Sequence, residues 1–181
     1  MIDYDALYES GYRGLIYDID NTLVRHGCPA DRASRALFDR LHGMGFATCL
    51  LSNNSAARVA PFAEAVQSHF IEKAHKPNPA AYFAACARMG TEPGATAFIG
   101  DQLFTDILGA KRAKLRSILV QPIHPREEIQ IILKRRLEWI VLAGYRRKLR
   151  REGNTSFPQG HFQIPGRAQI AKPVMDAAEN D

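Results

Sequence analysis

Short apolar runs alternate with amphipathic stretches between residues 14 and 121. Each apolar run lies between turn-forming residues, which is typical of a strand that is buried on both faces of a sheet. These runs predict strands over residues 14–19, 46–51, 69–72, 95–100 and 117–121. Their regular alternation with helices predicts an α/β fold, a Rossmann-like three-layer sandwich whose mostly parallel sheet has about five strands.

Helices are predicted between these strands, and some begin or end at residues that favour helix ends. Asp31 and Asn78 have side chains suited to capping the helices that follow them, and Gly45 ends the first of the two. The predicted helices cover residues 3–10, 31 to about 44, a segment around 59–66, 79–89, about 104–113, and a long stretch over 125–151.

One domain is predicted over residues 1–152, and it ends in the helix at about 125–151. After Gly153 the chain is rich in Gly, Pro and Gln and has no hydrophobic periodicity. Such a segment has no regular apolar face to bury. We therefore expect residues 153–181 to form a tail that is disordered or lies along the surface.

The formal net charge of +5 is concentrated in the last predicted helix. Residues 134–152 contain eight Lys and Arg side chains against two Glu, so an anionic partner is expected to bind there. Trp139 and Leu142 lie off the apolar stripe of this helix, among arginines, as in helices at membrane interfaces. A solvated basic face and an RNA-binding surface are the alternatives that the pattern leaves open.

Cysteine usage and hydropathy indicate a cytoplasmic protein. The three cysteines are far apart and form no CxxC pair, which favours a reducing compartment. The first ten residues have neither the basic nor the apolar region of a signal peptide. No apolar run approaches the roughly 18 residues of a membrane span, so any membrane contact is expected to be peripheral, through Lys134–Arg151 at the inner surface.

Polar residues follow the predicted strands at their carboxyl ends, where parallel sheets bind their ligands. A hydroxyl, amides, carboxylates and one amine are therefore expected to meet at one edge of the sheet. The residues are Asp18, Asp20, Ser52, Asn53, Asn54, Lys76, Asp101 and Asp106.

These side chains fit phosphoryl transfer. Asp18 and Asp20 are two apart on a strand and so point the same way. One carboxylate can attack phosphorus while the other exchanges protons with the leaving group and water. Asp18 and Asp101 can share Mg²⁺. Ser52, the backbone N–H groups near Asn53, and Lys76 would bind the phosphate oxygens.

Each residue also has a structural interpretation. Asp18, Asp20 and Asn21 could form a simple turn at the end of a strand. Ser52 to Asn54 could cap a helix, Lys76 could be an ordinary surface lysine, and Asp106 could be an acid favoured at a helix start. The occurrence of all of these elements in one order favours an active site.

The order of these motifs resembles that of the haloacid dehalogenase (HAD) superfamily. Its four signatures correspond to Asp18-Ile-Asp20-Asn-Thr22, to Ser52 at the end of an apolar strand, to Lys76, and to Gly100-Asp101-x4-Asp106. The resemblance implies that Asp18 is the nucleophile and Asp20 the acid/base. It implies phosphate contacts for Ser52 and Lys76, and supporting roles for Thr22 and Asp106. It also implies Mg²⁺ bound by Asp18, Asp101 and the backbone carbonyl of Asp20.

Further segments resemble the YqeG-type class IIIA phosphatases, which are similar to phosphatases of phosphatidylglycerophosphate. The segments are LIYDIDNTLV, LLSNN-x3-RV-x2-FAE, KAHKP and IGDQLFTDILGAKRA. This resemblance covers about residues 1–151 and implies a Mg²⁺-dependent phosphatase of phospholipid metabolism. Residues 23–27 replace the Val-Pro-Trp usual in that group, in a loop that borders the site, so substrate preference stays open there.

No cap domain is predicted. Only 29 residues separate Thr22 from Ser52 and 21 separate Asn54 from Lys76, and each interval is used by one helix and one strand. In this family the absence of a cap implies large substrates, lipids or macromolecules. We therefore expect hydrolysis of phosphatidylglycerophosphate through an aspartyl-phosphate. The alternatives are a phosphatase of soluble sugar phosphates or nucleotides, and a non-catalytic RNA-binding or assembly module.

Overall fold

The structure is a computed structural model that describes residues 2–123 and the backbone of two short strands at 162–164 and 168–171. The helices are α1 (Tyr4–Glu9), α2 (Arg32–Gly43), α3 (Ala56–Ala65), α4 (Pro79–Met89) and α5 (Leu108–Arg112). The strands are β1 (Gly14–Tyr17), β2 (Ala47–Leu51), β3 (His69–Ile71), β4 (Thr96–Gly100), β5 (Arg116–Val120), β6 (Phe162–Ile164) and β7 (Ala168–Ala171). The predicted helix at 125–151 lies outside the described residues.

The strands form one sheet in the order β3-β2-β1-β4-β5-β7-β6. Strands β1 to β5 are all parallel, which confirms the predicted fold class. Strand β7 extends the sheet parallel to β5, and β6 pairs antiparallel with β7. The sequence pattern did not predict these last two strands. They lie within the expected tail at 153–181, whose other residues lie outside the described part of the chain.

The core lies on both faces of the sheet, because alternate residues of each strand point in opposite directions. In β1, Leu15 and Tyr17 pack with the cluster beneath α1, α2 and α3. Ile16, between them, packs with the cluster beneath α4 and α5. All three side chains are fully buried. This arrangement gives the helix–sheet–helix layers of the predicted sandwich and makes β1 a rigid central element.

Two of the helices begin at the predicted capping residues. The Asp31 side chain accepts a hydrogen bond from the Ser34 N–H, and the Asn78 side chain accepts one from the Ala80 N–H. The helix predicted over 104–113 differs, because its first turn, Leu103–Ile107, is a π-helix that leads into α5. π turns are rare and occur frequently at functional sites.

The connections between strands are short in the described part of the chain. One helix, α2, lies between β1 and β2, and one helix, α3, lies between β2 and β3. Residues 2–123 therefore contain no cap domain, as predicted. In the described residues, no helix is long and apolar enough to cross a membrane.

Candidate active site

Three carboxylates lie together at the carboxyl ends of the two central strands. Asp18 directly follows β1 and Asp101 directly follows β4, while Asp106 lies in the π turn after β4. Oxygen atoms of the three side chains lie within 4.8 Å of one another, and all three residues are buried. The topology therefore brings together the acidic residues of the first and fourth motifs, as the sequence predicted.

Lys76 bridges two of these carboxylates. Its Nζ lies 2.5 Å from Asp18 Oδ1 and 2.7 Å from Asp106 Oδ1. The lysine side chain is only 5% exposed, so the interpretation as an ordinary surface lysine is wrong. Burying these charges costs free energy of desolvation, and the attraction between the ammonium and the two carboxylates offsets that cost.

Burial and neighbouring charges change the proton affinities of this group. Burial raises the pKa of Asp18 to about 7, Lys76 opposes the rise, and Asp106 and Asp20 add to it. Burial alone would lower the pKa of Lys76, but Asp106 and Asp18 raise it well above its usual value. The Lys76 amine therefore stays charged at neutral pH. The pKa of Asp18 lies close to neutral pH, so its carboxyl ionises in that range.

The donor set suits a divalent cation. Three carboxylates carry more negative charge than the single Lys76 ammonium neutralises. Clustered carboxylate oxygens are the ligands that hard cations such as Mg²⁺ prefer. The buried cluster fits a metal site that includes Asp18 and Asp101, as expected, and it places Asp106 beside them. The Thr22 hydroxyl donates to Asp101 Oδ1 at 3.4 Å, which links the first motif to the fourth.

The loop after β2 holds the backbone of Lys76. The Asn53 Oδ1 accepts a hydrogen bond from the Lys76 N–H at 2.7 Å, and its Nδ2 donates to the Lys76 carbonyl at 3.5 Å. Lys73 and His75 adopt left-handed φ angles of 44° and 50°, which cost energy for residues other than glycine. The Asn53 side chain thus positions the lysine, a function that the sequence did not indicate.

Ser52 lies buried at the end of β2, beside this loop. Its hydroxyl accepts a hydrogen bond from the Asn54 N–H at 3.2 Å. The residue that precedes α3 as its N-cap is Ser55, not Ser52 or Asn54. The interpretation of Ser52 to Asn54 as the helix cap is therefore wrong.

Asp20 lies in a separate environment from the carboxylate cluster. Its Oδ1 accepts hydrogen bonds from the Gly27 N–H and from Arg58 Nη2, both at 2.8 Å. Its Oδ2 accepts one from Asn54 Nδ2 at 2.7 Å. The exposed His26 ring approaches Oδ1 only to 3.9 Å. The sequence did not indicate the contacts of Asn54 and Arg58 with Asp20. The roles of Asp18 as nucleophile and Asp20 as acid/base were distinguished only through the family resemblance.

The backbone after Asp20 forms the turn that the residue pattern predicted. Asn21 has a left-handed φ of 63°, and its N–H donates to the Val24 carbonyl at 2.7 Å. The turn interpretation is therefore correct for the backbone, and it coexists with the contacts of the Asp20 side chain.

The conformation of the π turn is fixed by contacts on both sides. Asp106 Oδ2 accepts a hydrogen bond from the Gln102 N–H at 3.1 Å. The Tyr82 hydroxyl, from α4, donates to the carbonyls of Thr105 and Asp106. A Cβ at Gly100 would lie 2.5 Å from Asp106 Oδ2, so only glycine leaves room for this carboxylate. Asp106 is thus more than an acid favoured at a helix start.

The fold and the site together define a class of protein. A family model described as haloacid dehalogenase-like hydrolase matches residues 23–114. The chain belongs to this family. The prediction that the protein is an enzyme, a phosphatase of the HAD type, is confirmed.

A particular relative supports the narrower resemblance. The probable phosphatase YqeG of Bacillus subtilis (strain 168) is 34% identical to this chain over 146 residues. The match covers 80% of this chain and 84% of that protein. The YqeG-type identity inferred from the motifs is therefore confirmed.

Solved structures share the fold. The cobalt-bound deoxy-D-mannose-octulosonate 8-phosphate phosphatase of Haemophilus influenzae has a TM-score of 0.52 at 18% identity, and the match covers 61% of this chain and 69% of that one. The 3-deoxy-D-manno-octulosonate 8-phosphate phosphatase of Moraxella catarrhalis has a TM-score of 0.50 at 21% identity, covering 65% and 74%. At these identities the likeness supports the sandwich fold alone.

Proposed function

We propose that the protein is a Mg²⁺-dependent phosphomonoester hydrolase that acts through an aspartyl-phosphate on Asp18. The observation that carries this proposal is the buried cluster of Asp18, Asp101 and Asp106 with the Lys76 ammonium between two of its members. The Lys76 ammonium already contacts Asp18 Oδ1, and a phosphoryl group attacked by Asp18 would therefore lie close to this positive charge. Positioning and charge stabilisation supply most of the catalysis of phosphoryl transfer.

The chain supplies the residues for two successive steps. In the first, an Asp18 oxygen attacks phosphorus, the ester P–O bond breaks, and the leaving oxygen takes a proton from Asp20. In the second, Asp20 accepts a proton from water as the water oxygen attacks phosphorus, and the P–O bond to Asp18 breaks. Asp20 thus returns to its starting state and inorganic phosphate leaves.

Asp18, Asp101 and the Asp20 backbone carbonyl would hold the magnesium ion, with Asp106 beside them. When bound, the ion lowers the repulsion between the carboxylate nucleophile and the phosphate. Support comes from the donor set and from the Moraxella catarrhalis phosphatase, which was solved with magnesium and phosphate ions.

Phosphate binding is assigned to the residues around the Lys76 loop. The Ser52 hydroxyl, the backbone N–H groups near Asn53 and the Lys76 ammonium would contact the non-bridging oxygens. Such fixed donors stabilise the charge that develops in the transition state. Ser52 and Lys76 are both buried, and Lys76 already contacts two of the carboxylates, so little reorganisation of the lysine is needed.

Phosphatidylglycerophosphate is the substrate that we favour. The support is the similarity to the YqeG group, the absence of a cap in residues 2–123, and the basic segment Lys134–Arg151. A site without a cap leaves the covering of the reacting groups to the substrate. Each basic residue near an anionic membrane surface contributes about 1 kcal/mol to binding, so the segment would bring the site to the lipid.

The activity is tested by phosphate release from a substrate panel with Mg²⁺ or EDTA. We expect release only with Mg²⁺, and its loss in Asp18→Asn. Asp39→Asn, which changes an exposed carboxylate on α2, is the matched control and should keep wild-type rates. Full activity of Asp18→Asn would contradict the nucleophile assignment.

The lipid substrate is tested within the same panel. Short-chain phosphatidylglycerophosphate should have a higher kcat/KM than p-nitrophenyl phosphate and sugar phosphates. If it does not, a soluble sugar phosphate or nucleotide becomes the leading substrate. If no phosphoester is hydrolysed and RNA binds with a steep dependence on salt, the protein is instead a binding module.

A further inference from the structure

Arg58 contacts the proposed acid/base residue Asp20, and the proposed chemistry does not use it. It lies in the first turn of α3, where the helix dipole disfavours a positive charge. Its side chain is 19% exposed and Asp20 is 11% exposed, so the pair between them is largely shielded from solvent. A cation placed against the helix dipole and partly buried indicates a specific function.

The contacts of Arg58 tie three parts of the site together. A single atom, Nη2, lies 2.8 Å from Asp20 Oδ1 and 2.8 Å from the Cys28 carbonyl. Gly27, in the same loop, has a φ of 77° that glycine adopts without strain, and its N–H donates to the same Asp20 oxygen. The Phe62 ring, one turn along α3, lies 5.6 Å from the guanidinium carbon.

These contacts leave the two Asp20 oxygens unequal. An ionised carboxylate has about four acceptor positions, two on each oxygen. Arg58 and Gly27 fill both positions on Oδ1, and Asn54 fills one on Oδ2. Among the contacts of the described residues, the position left for a proton is therefore on Oδ2.

We propose that Arg58 is a positioning residue that, together with the Gly27 N–H, saturates Asp20 Oδ1 and so confines proton transfer to Asp20 Oδ2. This inference rests on the proposed function, because it assigns a proton-transfer task to Asp20. Arg58 also fixes the loop at Gly27 and Cys28, which borders the site. The loop and the proton-transfer group are therefore joined through one side chain.

The effect of substituting Arg58 should depend on the leaving group of the substrate. p-Nitrophenolate leaves without a proton, whereas the alkoxide of an alkyl phosphate must be protonated by Asp20 as it leaves. In Arg58→Met, the burst of p-nitrophenol that reports Asp18 phosphorylation should keep its rate within about threefold, while kcat for glycerol 3-phosphate falls about 100-fold, the lower end for loss of acid–base catalysis. For p-nitrophenyl phosphate, steady-state kcat and KM should fall together while kcat/KM changes little, because dephosphorylation also uses Asp20 whereas phosphorylation by this substrate does not need an acid.

Conservative replacement gives a second test. Arg58 uses one nitrogen for both acceptors, and its Nε is buried without a partner among the described residues. A lysine ammonium has three donors and no counterpart to Nε, so Arg58→Lys should restore most of the lost alkyl phosphatase activity. If Arg58→Met does not fold, the lysine variant still tests the proposal. A folded Arg58→Lys variant in which both the p-nitrophenol burst rate and kcat for glycerol 3-phosphate fall 100-fold would overturn the proposal.

Two controls separate this inference from the proposed function. Arg40→Met breaks an exposed Arg–Asp pair with Asp5, remote from the site, and should leave both substrates unaffected. The double variant Asp20→Asn, Arg58→Met should be no slower than Asp20→Asn, because both changes remove one function. A double variant whose loss of kcat equals the product of the two single losses would contradict the inference. So would an Arg58→Met variant in which the p-nitrophenol burst rate falls as much as kcat for glycerol 3-phosphate. Wild-type protein without phosphatase activity would instead contradict the proposed function.

Discussion

Two aspartates that are two positions apart in sequence have different neighbours, which agrees with the different tasks proposed for them. Asp18 contacts Lys76 within the carboxylate cluster, whereas Asp20 contacts Arg58 and Asn54. The two carboxylates leave the same strand end, so the difference arises from β2, α3 and the loop before α4. Assignment of nucleophile and acid/base thus depends on elements distant in sequence.

Lys76 is expected to be both structural and catalytic. Lys76→Met leaves Asp18 and Asp106 without the cation between them, and breaking a buried pair costs about 3–5 kcal/mol of stability. Loss of a charge that stabilises the transition state lowers kcat about 100-fold or more. Urea unfolding and steady-state kinetics measure the two effects.

Lys73→Met changes an exposed lysine of the same loop and is the control for Lys76→Met. It should alter stability by less than about 0.5 kcal/mol, as surface substitutions usually do. Equal effects of the two variants would show that burial of Lys76 between carboxylates is unimportant.

The cysteines should differ strongly in reactivity. Cys28 is exposed, whereas burial raises the pKa of the Cys49 thiol to about 12 and also raises that of Cys86. Since the thiolate is the reactive form, iodoacetamide should label only Cys28 in the native protein at pH 8. Mass spectrometry of digested peptides measures this, and denatured protein should be labelled at all three sites. Native labelling of Cys49 at the rate of Cys28 would contradict the burial.

Most site residues could be predicted because they directly follow strands. The alternation of apolar runs places Asp18, Ser52 and Asp101 at one edge, whatever the details of packing. Arg58 could not be placed in this way, since its contact with Asp20 depends on how α3 packs. A basic residue in the first turn of a helix was the signal that could have identified it.

At the scale of elements, the π turn after β4 decides where Asp106 lies. The turn is held by the Gln102 N–H on one side and by the Tyr82 hydroxyl on the other. Helical periodicity predicted an ordinary helix here, because a π turn has no residue pattern of its own. Of the features that fix this turn, only Gly100, directly before Asp101, is recognisable in the sequence motif.

Gly100→Ala should disturb this turn, because its Cβ would lie 2.5 Å from Asp106 Oδ2. Overpacking of this kind costs about 1–3 kcal/mol. Displacement of Asp106 from Lys76 should lower kcat at least tenfold, a rough value for a misplaced site contact. Thermal unfolding and phosphate release measure the two effects.

Gly94→Ala is the matched control for Gly100→Ala. A Cβ at Gly94 has nothing within 4 Å, and its φ is not in the left-handed region. Activity should be unchanged in this variant. A Gly100→Ala enzyme as active as Gly94→Ala would show that Asp106 tolerates the shift.

The order of the elements could be predicted from the alternation of apolar runs and helices, but the edge of the sheet could not. Strands β1 to β5 have continuous apolar runs bounded by turn residues, which is a strong pattern for buried parallel strands. The segments of β6 and β7 lie among Gly, Pro and Gln and lack such a pattern. Their pairing beside β5 is a tertiary effect that local preference does not reveal.

At the scale of the whole molecule, metal binding should stabilise the fold in a way that depends on pH. In the metal-free protein the raised pKa of Asp18 contributes stability below its usual value near 4, and this contribution is lost as pH rises through about 7. A divalent cation competes with that proton. Mg²⁺ should therefore raise Tm more at pH 8 than at pH 6.

Calorimetry at both pH values, with one Mg²⁺ concentration of about 100 times the Kd at pH 8, measures this dependence. The expected stabilisation is about 2.7 kcal/mol at pH 8, where Asp18 is ionised, and smaller at pH 6. Asp18→Asn removes the titrating group and should lose the difference between the two pH values. A larger Mg²⁺ effect at pH 6 than at pH 8 would contradict the assignment of Asp18 as a ligand.

The most direct test of the account is chemical trapping of the phosphorylated enzyme. Protein mixed with Mg²⁺ and p-nitrophenyl phosphate is quenched with acid, reduced with borohydride and digested, because borohydride converts an aspartyl-phosphate into homoserine. We predict homoserine at position 18, and none without substrate or in Asp18→Asn. Turnover without modification of Asp18, or with modification at another residue, would contradict the account.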